Sequence, residues 1–93
     1  MATGTEERKY RIEFTSPATK QFRDLPSKVQ DRISPHIDAL AANPRPHGAL
    51  KIKGEDDQYR IRVGSYRVVY SIVDERLIVS IVRVADRKDV YRS

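Results

Sequence analysis

The chain has 93 residues, with 18 Lys and Arg against 13 Asp and Glu, a net charge of +5, a pI near 9.7, no cysteine and two histidines. This length suits one domain with a small core; without cysteine there are no disulfides or thiolate metal sites, and two isolated histidines do not assemble a zinc site, so no metal or other cofactor is expected. The basic balance points to nucleic acid or an acidic protein as partner, and the absence of both an apolar leader and a run near the ~18 residues of a membrane span predicts a cytoplasmic protein with no membrane partner.

Residues 1–8 read as a flexible polar tail and residues 9–93 as the domain. From Lys9 to Thr15, Tyr10, Ile12 and Phe14 alternate with Lys9, Arg11 and Glu13, the period of a strand with one buried face. Ser16-Pro17 reads as an N-cap followed by proline in the first turn, and Ala18, Phe22 and Leu25 recur at helical spacing, predicting a helix over 17–25. Pro26 breaks it. Ser27-Lys-Val-Gln30 then has the spacing of a capping box, opening a second helix whose apolar face is Val29, Ile33, Ile37 and Leu40 and which ends at Asn43-Pro44. Pro35 removes a backbone donor from its interior, predicting a kink or a fresh start capped by Ser34. After the loop Arg45-Pro-His-Gly, residues 49–53 read as a weak strand.

The remainder reads as a meander whose register follows from its turns. Gly64-Ser65 suits a two-residue hairpin turn with glycine at the positive-φ position. That turn pairs Val63 with Tyr66, Arg62 with Arg67, Ile61 with Val68 and Tyr59 with Tyr70. For the next turn, a three-residue loop Asp74-Glu75-Arg76 sets Arg67 opposite Arg83 and collects Ile78, Val82 and Val84 on the apolar face, whereas a two-residue loop rotates the strand and buries Arg83. Burying an unpaired charge costs several kcal/mol or more, so the three-residue loop is expected. The predicted class is α+β: an N-terminal strand and a two-helix hairpin packed on one face of a mostly antiparallel, twisted sheet that ends in a three-strand meander.

The opposite face then carries Arg60, Arg62, Arg67 and Arg83. Like charges set directly across neighbouring strands are destabilising. The nearby acids Glu55, Asp56, Asp57 and Glu75 fall in turns rather than on this face. An anion site is therefore expected, and phosphate suits the guanidinium fork.

Three segments, Tyr59-Arg-Ile-Arg, Tyr66-Arg-Val-Val-Tyr and Arg87-Lys-Asp-Val-Tyr, taken in this order, give the chain its identifiable pattern. Over about residues 9–92 it resembles the RelE branch of the RelE/ParE toxin superfamily. Members of that superfamily are toxins of type II toxin–antitoxin systems, and RelE-type members cut mRNA in the ribosomal A site without a metal. The resemblance therefore implies a RelE/ParE-like fold, a metal-independent endoribonuclease that inhibits translation, and as partners a cognate antitoxin, mRNA in the A site and ribosomal RNA. It also implies roles by position. Arg67 matches an arginine on the scissile phosphate, Arg87 one that stabilises the developing charge, and Tyr91 a tyrosine in proton transfer. Arg60 and Arg62 fall where RelE carries two lysines used for phosphate binding and acid–base work. Arg83, Lys88 and Arg92 join Arg60 and Arg62 as expected RNA contacts.

The chain departs from many relatives in reading Ala85-Asp86-Arg87 where they have Gly-His-Arg, so a histidine base is missing there. Arginine stays protonated and cannot replace it. Asp86 at such a turn reads as a cap or ion-pair partner. His36 and His47 read as surface or packing groups away from the arginine face, and Lys51 and Lys53 equally as solvated side chains or as contacts to ribosomal RNA. Two other functions share the fold: a ParE-type inhibitor of DNA gyrase, and a catalytically weak relative acting mainly through its antitoxin complex.

Overall fold

The computed structural model describes residues 9–86. Strand β1 spans Arg11–Phe14, helix α1 Ser16–Arg23, helix α2 Ser27–Ala39, and strands β2, β3, β4 and β5 span Leu50–Lys51, Gln58–Val63, Tyr66–Val73 and Ile78–Asp86. They form one mixed sheet in the order β1-β5-β4-β3-β2, with β1 parallel to β5 and the other neighbours antiparallel. The two helices pack on one face, as the apolar spacing predicts.

Both helices start differently from the sequence reading. Thr15, not Ser16, caps α1: its Oγ1 accepts from the Ala18 amide at 3.3 Å, which shifts the helix start to Ser16 and leaves Pro17 in the first turn. No side chain caps α2. Gln30 instead donates to the carbonyls of Leu25 at 2.8 Å and Arg23 at 3.2 Å, tying α2 to the end of α1. Two orphan acceptors at one helix end thus outcompete the backbone donor that a capping box requires. Helix α2 runs through Pro35 without a restart, and Pro35 itself is exposed.

The β3–β4 hairpin has the predicted register, Val63 opposite Tyr66, Arg62 opposite Arg67, Ile61 opposite Val68 and Tyr59 opposite Tyr70. Gly64 takes φ +62, and a Cβ added there would lie 3.1 Å from the Arg32 guanidinium. Between β4 and β5 the register departs from expectation. A 3₁₀ turn over Asp74–Arg76 is closed by Leu77 in the left-handed region at φ 54, and Val73 pairs with Ile78 rather than Leu77. Four loop residues would rotate the whole strand and bury Arg83. A bulge prevents this: Tyr70 pairs with Ile81 but Val69 with Arg83, leaving Val82 as the extra residue. Val79 and Ile81 (both 0% exposed) therefore enter the core before the bulge and Val84 (2%) after it, while Ile78 and Val82 are only partly buried.

The core contains Ala18, Ile33, Ile37 and Leu40 from the helical layer and Ile61, Val68, Tyr70, Val79 and Ile81 among the strand residues. Phe14, expected inside, is 37% exposed and packs edgewise against Phe22 at the sheet margin. Beyond Phe14, β1 no longer covers β5, and α1 takes over: Gln21 Oε1 accepts from the Val84 amide at 2.8 Å. Buried Tyr70 donates to the Pro44 carbonyl at 2.7 Å, and burial raises its phenol to about 12.

At the far end of the sheet, Arg45 holds Asp74 with two hydrogen bonds of 2.9 and 3.3 Å, Tyr10 donates to the same carboxylate at 2.6 Å, and the Arg45 guanidinium sits 5.4 Å from the Tyr59 ring centroid. Arg45 and then Tyr10 hold the Asp74 carboxyl below its ordinary value. A depressed carboxylate contributes stability above the unfolded value, near ~3.9, that is lost as pH falls through the folded one. Asp74→Asn should therefore melt earlier than the parent at neutral pH, with the gap closing as thermal scans move below about pH 4; a gap independent of pH would contradict this.

Candidate active site

The hairpin and the bulge together decide which way the arginines point. Residues inward at 59, 61 and 63 leave Arg60 and Arg62 on the sheet face away from the helices, and Arg62 lies directly across from Arg67. The bulge corrects the expected row: Arg67 faces Ala85, and Arg83 faces Val69, one step along. Two short rows result, Arg62–Arg67–Ala85 and Arg60–Val69–Arg83. All four arginines still share the face.

Among the described residues these guanidiniums have no ion-pair partner. Among the described residues the ion pairs are Arg11–Glu13, Lys20–Asp24 and Arg45–Asp74, none of which uses an arginine of this face. Burial and then the charges of Arg62 and Arg67 lower the pKa of Arg60. Arg67 Nε is buried with no hydrogen-bond acceptor, although a buried donor left unpaired typically costs about 1–3 kcal/mol. The cluster has the chemistry of an anion site: guanidinium forks on one face, mutual repulsion and an unmet donor.

Of the residues expected at the site, Arg60, Arg62, Arg67 and Arg83 are brought together, while Arg87, Lys88, Tyr91 and Arg92 lie outside the described residues. A groove of about 430 Å³, lined by Gln21, Asp24, Tyr66, Arg83 and Asp86 among others, opens where β5 ends. Asp86 lies opposite Tyr66. His36 and His47 both line a groove of about 470 Å³ with Arg60 and Arg62. Leu50 pairs with Arg60, so the Pro46-His-Gly loop just before it reaches the end of β3 that carries the arginines. Lys51, opposite Tyr59, is exposed.

The family model described as the ParE toxin of type II toxin–antitoxin systems matches residues 12–91, and the chain belongs to that family. Within it the chain is a RelE-type toxin. It is 33% identical over 86 residues to the mRNA interferase toxin RelE of Escherichia coli K12, covering 88% of this chain and 90% of that one. It is 30% identical over 84 residues to the toxin RelG of Mycobacterium tuberculosis, covering 89% and 97%. Its fold superposes on the isolated E. coli RelE toxin with a TM-score of 0.76 at 27% identity, covering 89% of this chain and 97% of that one. The intact E. coli RelBE toxin–antitoxin complex gives 0.75 at 30% identity, with 83% and 95% covered.

If the face is an anion site, inorganic phosphate should raise the melting temperature of the parent, and the rise should shrink in Arg67→Ala. Without phosphate, Arg62→Ser should melt no earlier than the parent, since it removes a like-charge pair worth a few tenths of a kcal/mol. Equal phosphate responses in parent and Arg67→Ala would contradict the assignment.

Proposed function

We propose that this toxin is a ribosome-dependent mRNA endonuclease that cleaves by attack of a ribose 2′-OH on the adjacent phosphate, leaving a 2′,3′-cyclic phosphate and a 5′-OH. The observation that carries this reading is an arginine cluster with no ion-pair partner among the described residues, with Arg67 Nε buried and unmet at its centre. The attack builds negative charge on the non-bridging oxygens, and donors fixed before the reaction stabilise that charge without reorganising. Arg67, with Arg60 and Arg62 across the hairpin, would hold those oxygens; Arg83 would hold a neighbouring backbone phosphate. Arg87 would add to charge stabilisation, Tyr91 to proton transfer, and Lys88 and Arg92 to RNA binding, as their positions in the family pattern imply. The relative named an mRNA interferase supports mRNA as the target.

The partners in this reading are mRNA in the A site, ribosomal RNA and a cognate antitoxin. Solved neighbours are toxin–antitoxin complexes from E. coli and Pyrococcus horikoshii. On the helical side, a groove of about 370 Å³ lined by Phe14, Phe22 and Ile37, with Arg23 and Asp38 at its margin, suits an amphipathic antitoxin helix. A gyrase inhibitor on this fold has no need of a phosphate cluster.

Primer extension on a reporter mRNA in a reconstituted translation reaction tests the reading. The parent should produce discrete new 5′ ends within codons at the A site, and Arg67→Ala should reduce their rate by about 10²-fold or more. Intact mRNA with the parent protein, or an SOS response with translation unaffected on controlled expression, would contradict it.

A further inference from the structure

The cleavage chemistry needs a group to take the 2′-OH proton, and the four guanidiniums cannot do so because they stay protonated. Imidazole is the side chain that changes charge between pH 5 and 8 without special tuning. Two imidazoles line the groove that Arg60 and Arg62 share. His36 comes from α2, in the layer behind the sheet, whereas the arginines point to the other face. His47 comes from the turn that leads into β2.

The placement of His47 is built rather than incidental. The Ala49 amide donates to the Pro46 carbonyl at 3.0 Å, closing a β-turn with His47 and Gly48 at its corners. Gly48 has φ +97, the left-handed conformation that a type II turn requires at its second corner. One residue beyond Ala49, Leu50 enters the sheet opposite Arg60. Strand register thus delivers the His47 turn to the segment of β3 that carries the phosphate-binding arginines. The other charged or titratable side chains lining this groove are His36, Arg60 and Arg62.

We propose that His47 is the proton acceptor of the RNA cleavage, an inference that rests on the endonuclease reading above. A ring nitrogen of His47 takes the proton of the ribose 2′-OH, the 2′-oxygen forms a bond to phosphorus, and the bond from phosphorus to the 5′-oxygen breaks. The departing 5′-oxygen takes a proton from solvent water. The products are the cyclic phosphate, the 5′-OH and an imidazolium that returns its proton to water.

Single-turnover cleavage on programmed ribosomes tests the role with the parent, His47→Ala and Arg67→Ala side by side. His47→Ala should cut about 10²-fold more slowly or worse, with ribosome binding and melting temperature unchanged. It should also lose the acidic limb of the rate–pH profile and recover in part when free imidazole is added. A His47→Ala rate within about threefold of the parent, well short of the loss expected of a general base, would overturn the proposal and leave the endonuclease reading intact. So would a slow rate that keeps the acidic limb and ignores imidazole. A parent that cuts nothing would overturn both.

Discussion

The bulge at Val82 is the constraint on which the sheet depends. β5 lies between parallel β1 and antiparallel β4, so it must satisfy two registers and two faces at once. Before the bulge its odd-numbered residues Val79 and Ile81 face the helices; after it, Val84 does. A strand without the extra residue would either pull Val79 and Ile81 from the core or turn Arg83 into it. Truncating a buried isoleucine typically costs about 2–5 kcal/mol, and burying an unpaired charge several, so neither alternative competes with one local irregularity. Core packing and the outward position of Arg83 have the same cause.

The protein uses its arginines in two opposite ways. At one end of the sheet Arg45 is fully engaged, gripping Asp74 and lying over Tyr59, which in turn stacks on Tyr70 at a 6.1 Å centroid separation. On the outer face Arg62 and Arg67 stand directly opposed, and Arg67 Nε has no acceptor. Among the described residues the outer cluster has no ion-pair partner, in contrast to Arg45. A bound phosphate would relieve the repulsion and meet the orphan donor together.

Much of this was legible in the sequence. The alternation around Gly64-Ser65 was enough to set the β3–β4 register residue by residue, because a two-residue turn leaves no freedom and a one-residue slip inverts every side chain. The choice between loop lengths before β5 failed for a physical reason. Leu77 adopts a left-handed conformation that sequence assigns to glycine or asparagine, and Val82 looks like any strand valine, so neither the longer loop nor the bulge leaves a local mark. The helix caps are less legible: at α1 two adjacent hydroxyl residues, Thr15 and Ser16, compete for the cap, and at α2 the partners of Gln30 lie across a chain reversal. The position of His47 depends on the pairing of a two-residue strand, which is too short to announce its register.

A scaffold of two helices and a twisted sheet thus presents arginines from three adjacent strands, with a histidine-bearing turn at the margin. The most direct measurement is the salt dependence of binding to a short single-stranded oligoribonucleotide blocked at its 2′-OH groups, for the parent and for Arg62→Ser, Arg67→Ser and Arg83→Ser. If each arginine holds a phosphate, the slope of log affinity against log salt should fall by roughly 0.7 per substitution, with melting temperatures held or raised. Slopes that match the parent's in all three variants would contradict the assignment of this face to RNA.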